Sequence, residues 1–546
     1  MTVCRLLLAM LVLGCLNVAP AQAAPDQVSI IMDDDELLYR GDRTSVRTLT
    51  TARSLGAEVV RATVLWRVVG EGANYSRREI RSIKNRKLRR KAIRQRRRFE
   101  ADNPRRYPRG NWDRYDNLVK EATKLGMRVY FNVTGPGPIS YAHKRAPRSQ
   151  RRNAITYKPI ATRFGRFVEA VGKRYSGSYR DENGTRERLP RVSTWSIWNE
   201  PNQAGWLSPQ WEKIGGEMVP SAPAQFRRLF LTGRKALAET GHGDDAILLG
   251  ETAPAGSNSR GPRRSIRPVP FLRELACVDP DGKQYEGKDA KRRNCDEFDR
   301  FGPLQATAFA HHPYTQNAAP TIAPRSPDNL TMGNIGLVGK VLDTVSAQSG
   351  GRIPANLPVL LTEFGYETKP DPRNGISFER QAEYLQLAEF LAYNEPRVKA
   401  TTQFQITDAR PLRRFKRGSR NYWFTYQSGL FNAKGRAKPA AFAYALPFLT
   451  YPSGAGMTGV WGQLRFRPNG PVEAATVFWH PTVDRKQTAC GSPEAGWVQQ
   501  GAPLPTSPRG YFSGVIPTPG AGGEYCAAFR DPKTGKIINQ SLSRKP

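Results

Sequence analysis

Short apolar runs alternate along most of this chain with longer stretches whose apolar residues recur at helical spacing. Eight of the runs read as strands: Val28–Ile31, Val59–Leu65, Arg128–Val133, Thr194–Trp198, Ala246–Leu249, Gln305–Ala310, Val359–Thr362 and Thr401–Ile406. The stretches Trp112 to Leu125, Ile160 to Tyr175, Ala224 to Thr240, Phe378 to Tyr393 and Pro439 to Phe448 have a helical period. In the second of these, Phe164, Phe167, Val168 and Val171 fall on one stripe. Gly126 stands where the first needs a C-cap. A strand followed by a helix, eight times over, predicts an α/β chain whose parallel sheet closes into a (β/α)8 or TIM barrel. A doubly wound sheet fits less well, because no glycine-rich phosphate fingerprint follows the first strand.

The pattern changes after Thr450-Tyr451-Pro452-Ser453-Gly454. From there the helical period is lost, and short strand-like pieces sit among frequent Pro and Gly: Gly462–Phe466, Ala474–Trp479, Gly510–Ile516 and Glu524–Phe529. The 546 residues exceed one ordinary core and suit a large barrel plus a small module. The expected layout is a barrel over 24–452 and a β-sandwich of immunoglobulin or fibronectin type over 455–546.

The first residues read as an export signal over 1–23. Arg5 supplies a positive n-region, Leu6 to Leu13 an apolar run, and Ala21-Gln22-Ala23 a small-x-small cleavage site. Secretion is therefore expected, with a lipoprotein anchor at Cys15 as a lesser alternative. No other apolar stretch is long enough to span a bilayer. Cys4 and Cys15 leave with the signal. Cys277, Cys295, Cys490 and Cys526 remain, which in an oxidising compartment predicts two disulfides. Three pairings are possible; sequence proximity favours Cys277–Cys295 and Cys490–Cys526.

A formal charge of +36 favours anionic partners such as an acidic glycan or a cell envelope. Much of it is local. Residues 77–109, a basic insertion expected on the second βα loop, hold sixteen Lys/Arg against three acidic residues. Further basic runs occupy 144–152 and 260–267. No nucleic-acid-binding module is present and export is expected, so nucleic acid is not the expected partner.

Two acidic motifs carry the chemistry. Thr194-Trp195-Ser196-Ile197-Trp198-Asn199-Glu200-Pro201 ends the fourth strand, and Pro358-Val359-Leu360-Leu361-Thr362-Glu363-Phe364-Gly365 ends the seventh. A barrel builds its site from the C-terminal ends of its strands, so Glu200 and Glu363 are expected in one mouth. Paired carboxylates suit glycoside hydrolysis: one protonates the leaving oxygen and the other attacks the anomeric carbon.

With Trp198-Asn199-Glu200-Pro201 on one strand and Thr362-Glu363-Phe364-Gly365 on another, the chain resembles clan A of the glycoside hydrolases, the cellulase-like and xylosidase-like TIM barrels, over most of 28–450. The resemblance implies a retaining β-glycosidase without cofactor or metal. In it Glu200 is the acid/base, Glu363 the nucleophile, and Asn199 a ligand of the sugar 2-hydroxyl. It places Arg61 beneath the nucleophile, Tyr314 of His312-Pro313-Tyr314 as a donor to Glu363, and His312 in the pocket. Trp66, Trp206 and Trp423 are candidates for stacking on sugar faces.

Two departures stand out. The third strand ends in Asn132-Val133-Thr134-Gly135-Pro136, without the histidine usual in cellulases. The eighth carries Gln403-Phe404-Gln405, without the usual tryptophan. Asp33-Asp34-Asp35-Glu36 lacks the spacing of a calcium loop; Asp33 or Asp34 is expected to line the mouth or pair with Arg61. A non-catalytic glycan- or surface-binding protein on the same barrel is the alternative function; both carboxylates argue against it.

Overall fold

A computed structural model describes residues 24–546 except 140, 184–185, 418, 420, 466–473, 482–489, 521, 532–533 and 543–546. The export signal and Cys15 lie outside the described residues. Among the described residues, no helix is long and apolar enough to cross a membrane.

Eight parallel strands close a barrel in chain order: β1 (Val28–Met32), β2 (Val59–Leu65), β3 (Arg128–Thr134), β4 (Thr194–Ile197), β5 (Ala246–Thr252), β6 (Ala308–His311), β7 (Val359–Phe364) and β8 (Val398–Phe404). Register runs from Ile30↔Val59 between β1 and β2 round to Val28↔Ala400 between β1 and β8. Each of the eight expected strands overlaps one of these. β5 runs on through Gly250, Glu251 and Thr252, beyond its expected end, and β6 starts three residues later than expected.

Strand alternation sorts side chains into two cores. On β2, Val60, Ala62 and Val64 face outward into the main apolar cluster, where Phe131, Val133, Trp195, Ile197 and Leu249 meet the surrounding helices. Val59 points inward. It joins Ile30, Tyr130, Leu248, Ala308 and Ala400 in a small apolar plug. The next inward positions are polar: Arg61 on β2, Asn132 on β3 and Ser196 on β4, each fully buried. The barrel is thus filled by an apolar layer with a charged layer above it, just under the mouth.

The helix Ala161–Arg174 packs beside Ala222–Leu237, and Phe378–Tyr393 beside Pro439–Ala445. The loop after β2 carries the basic insertion as two helices, Arg77–Ser82 and Arg86–Arg98. Ser76 and Glu79 form a capping box on the first, and the Asn85 side chain accepts from Leu88 N on the second. These caps give the helices a start that their like charges would otherwise oppose.

Two antiparallel sheets follow the barrel. One joins Phe448–Pro452, Met457–Gln463 and Tyr511–Pro517; the other is built on Ala474–His480, Glu524–Arg530 and Ile537–Gln540. Phe448, Val460, Val477, Phe512, Ile516 and Ala527 fill the space between them. Disulfides join Cys277 to Cys295 and Cys490 to Cys526. Trp461 is buried against Phe390 and Tyr393 of a barrel helix, with ring centroids 5.3 and 5.4 Å away. Arg465 pairs with Glu389 at 2.7 Å on the same helix. Arg509 pairs with Glu58, and the Tyr511 hydroxyl reaches Gln27 at 3.4 Å. Gln27 and Glu58 precede β1 and β2, so these last contacts lie at the barrel end opposite the mouth.

Candidate active site

The turn after β4 sets Glu200. Trp198 and Glu200 both adopt left-handed backbone, at φ 69° and 36°, a conformation that non-glycine residues hold only when their surroundings compel it. Two clamps do so. Glu200 N donates to Glu251 O at 2.9 Å, and buried Asn202 bonds Ala253 N and O and Ile266 O at 2.9–3.1 Å. The loop after β4 is thereby tied to the end of β5. The Trp198 ring lies directly over Gly135, where an added Cβ would come within 2.2 Å of it. Glycine is required there, because the indole occupies the space at the end of β3.

Glu363, at the end of β7, enters the same mouth. One carboxylate oxygen each from Glu200 and Glu363, and a ring nitrogen of His312, lie within 4.8 Å of one another. Arg61 Nη1 donates to Glu363 at 3.1 Å, and the Tyr314 hydroxyl donates to its other oxygen at 3.4 Å. Arg61 Nη2 also holds Asn199 Oδ1 at 3.2 Å. The Asn199 amide nitrogen has no partner among the described residues, and Asn199 lines the cleft.

Beneath them sits Glu251, which the sequence pattern had not singled out. It is fully buried. One oxygen accepts from Arg61 Nη2 at 3.0 Å, His312 Nε2 at 2.6 Å and Thr362 at 2.7 Å; the other accepts from Tyr130 and Ser196. Burial alone would raise its pKa, but Arg61 and the donors from His312 and Ser196 outweigh that and hold it well below the usual carboxylate range. Its signal was available: it is a carboxylate at a strand end, like Glu200 and Glu363, in a strand expected to stop two residues earlier.

His312 is fully buried. Burial opposes its charge, yet Glu363, Glu200 and Glu251 around it push its pKa up to about 10. As an imidazolium it donates through Nε2 to Glu251 and through Nδ1 to Glu200 Oε1 at 3.1 Å. Glu200, His312 and Glu363 are close enough to hold a cation, but an imidazole ligates only when neutral. At Glu363, burial raises the pKa; His312 and Arg61 pull it down, Glu200 and Glu251 push it up, and the net is upward.

The cleft above has a volume of about 570 Å³. Asp34, Thr63, Trp206, Phe404, Gln405 and Tyr426 line it with Asn199, Glu200, Tyr314 and Glu363. Among the described residues five carboxylates (Asp34, Asp35, Glu200, Glu363, Glu367) reach it, and no Lys or Arg does. Burial raises the pKa of Asp34, and burial with neighbouring Asp371 pushes Glu367 up to about 8. Asp33 instead turns away to accept from Ile406 N and Thr407 N, both at 3.0 Å. Arg61 pairs with Glu251 and Glu363 rather than with either aspartate of the first strand.

Two expected residues are not brought to the cleft. Trp66 is fully buried, because the chain turns into the short helix Trp66–Val69 and stacks the indole on Phe167 behind the barrel wall. Trp423 does not line the cleft either. Bonds from Ala409 N to Tyr426 O and from Leu412 N to Tyr422 O fold its loop back on itself, so Tyr426 reaches the mouth and packs on Phe404 at 5.2 Å.

No protein-family model and no curated sequence matches the chain. Among solved structures, it is similar to a family 39 glycoside hydrolase from Bacteroides cellulosilyticus at 12% identity and TM-score 0.45, over 91% of this chain and 81% of that one. It is similar to GH5_18 from Streptomyces cattleya, in complex with GlcNAc, at 15% and 0.43 over 77% and 79%. A family 1 β-glucosidase from Thermotoga maritima gives 10% and 0.45 over 77% and 96%. At this distance the likeness carries no functional argument, and function rests on the residues of the cleft.

Proposed function

We propose that this chain is an exported retaining glycoside hydrolase that cleaves a β-linked glycan by double displacement, with Glu363 as nucleophile and Glu200 as acid/base. The observation that carries the reading is the approach of the two carboxylates to within 4.8 Å across the barrel mouth. Double displacement needs a carboxyl separation of about 5–5.5 Å, whereas direct attack by water needs about 6.5–9.5 Å.

The donors assign the roles. Glu363 accepts from Arg61 and Tyr314, which favour its charged, nucleophilic form. Glu200, which has no arginine partner among the described residues, is assigned the proton transfer to the leaving oxygen. Once the glycosyl–Glu363 ester forms, Glu200 is free to take a proton from water. Asn199 presents its free amide nitrogen to the sugar 2-hydroxyl, and Trp206, Phe404 and Tyr426 offer apolar faces to the rings. Two disulfides fit an oxidising compartment outside the cytoplasm.

A panel of aryl β-glycosides tests this. The wild type should turn over at least one, forming the β-anomer first. Glu363→Ala and Glu200→Ala should each lower kcat by about 10³-fold or more. Azide should restore rate to Glu200→Ala with an activated leaving group, because azide needs no general base. Rescue of Glu363→Ala alone would reverse the roles. A panel wholly inert with wild type would favour a glycan-binding protein.

A further inference from the structure

Among the described residues no Lys or Arg lines the cleft, although the chain carries a formal charge of +36. The missing charge stands one loop away. Arg78 of the insertion and Arg145, Arg148 and Arg151 of the loop after β3 line one groove of about 810 Å³, with Tyr157 on its wall and no acidic residue. All four arginines are exposed. None of their guanidinium groups has a hydrogen bond or an ion pair with any described residue. Four like charges facing one space repel each other, and an anion between them removes that repulsion. Planar guanidinium groups also suit bidentate contact with carboxylate, sulfate or phosphate.

The groove opens on the mouth side, since both segments follow C-terminal strand ends. It is tied to the cleft edge. Tyr157 bridges Ser208, and Lys158 N donates to Ser208 O at 2.7 Å. Trp206, two residues before Ser208, lines the cleft.

We propose that this arginine groove is a distal subsite for an anionic group of the substrate polymer. The glycan is cut at an uncharged unit in the carboxylate-lined cleft, while a carboxylate, sulfate or phosphate farther along the same chain is held by Arg78, Arg145, Arg148 and Arg151. This deepens, and rests on, the glycosidase reading. The helix Arg86–Arg98, with nine exposed Lys/Arg that form no ion pair with any described residue, adds a long-range field that draws such a polymer in.

Binding without turnover tests it. Full-length mature protein is titrated at physiological salt with dextran sulfate, polygalacturonate and a phosphomannan, with neutral dextran and a short DNA duplex alongside. At least one anionic glycan should bind about tenfold or more tighter than dextran, and the three arms show which anion is preferred. Changing all four groove arginines to Gln should weaken that binding about tenfold or more, the scale of a lost charge-assisted contact. Arg89, Arg90 and Arg94→Gln on the insertion helix should weaken it far less and leave aryl glycoside turnover unchanged. Should the fourfold variant melt early, Arg148→Gln and Arg151→Gln singly should each give a smaller loss.

Equal losses from the helix and groove variants would overturn the proposal, as would unchanged binding in the groove variants. So would a duplex that outcompetes every glycan through the same arginines. Aryl glycoside turnover by the wild type is read separately, so the failure of the subsite and of the glycosidase reading are distinct results.

Discussion

Arg61 lies fully buried between Glu251 and Glu363, whereas the nine Lys/Arg of helix Arg86–Arg98 stand in solvent without a carboxylate partner among the described residues. The same kind of charge meets two different physical problems. Under the barrel mouth, removing an ion from water costs several kcal/mol, so each charge there is matched by an opposite one and by hydrogen bonds. On the insertion, water and salt screen each cation, and nothing in the fold needs to balance it. Charge that is neutralised inside the fold shapes a site. Charge left over outside remains available to a partner.

The largest effect that would break this contrast is at Arg61. Arg61→Met leaves buried Glu251 and Glu363 with His312 as their one remaining ion-pair partner among the described residues, and denaturant unfolding should show a loss of about 3–5 kcal/mol. A loss below about 1 kcal/mol would place Arg61 in the same class as the surface arginines.

A smaller effect, in pH, concerns His312. Its folded pKa of about 10 lies above the ordinary histidine value near 6.5. The stabilisation it brings is therefore complete below about pH 6.5 and is lost as pH rises toward about 10, at up to about 1.4 kcal/mol per unit. Unfolding free energy measured across that window should fall in the wild type and should fall less in His312→Gln. Parallel slopes would mean that the imidazole is not held charged.

The smallest effect is on the helix. Arg89, Arg90 and Arg94→Gln together should change stability by about 0.5 kcal/mol or less. Any gain from relieved repulsion should vanish in 1 M salt. A marked loss would show that these cations brace the fold after all.

Much of the barrel was legible before the structure, because each strand buries one face under helices and leaves a strong apolar run. Glu200 and Glu363 were legible as acids closing such runs. Glu251 was not, because polar residues at the end of β5 blurred where that strand stops. Trp66 and Trp423 show a different limit: an aromatic residue beside a strand end serves a core as readily as a cleft. For Trp66 the loop turned it behind the wall, and for Trp423 the folded-back loop put Tyr426 forward instead.

Periodicity and residue type thus determined the closed parallel sheet, the trailing β region and the two acids at its strand ends, because these depend on local alternation and on where a barrel keeps its mouth. Only tertiary structure decided that Glu251 joins Arg61 and His312 beneath those acids, and that among the described residues the excess positive charge stays out of the cleft. Both depend on distances between residues far apart in sequence, which no local pattern encodes.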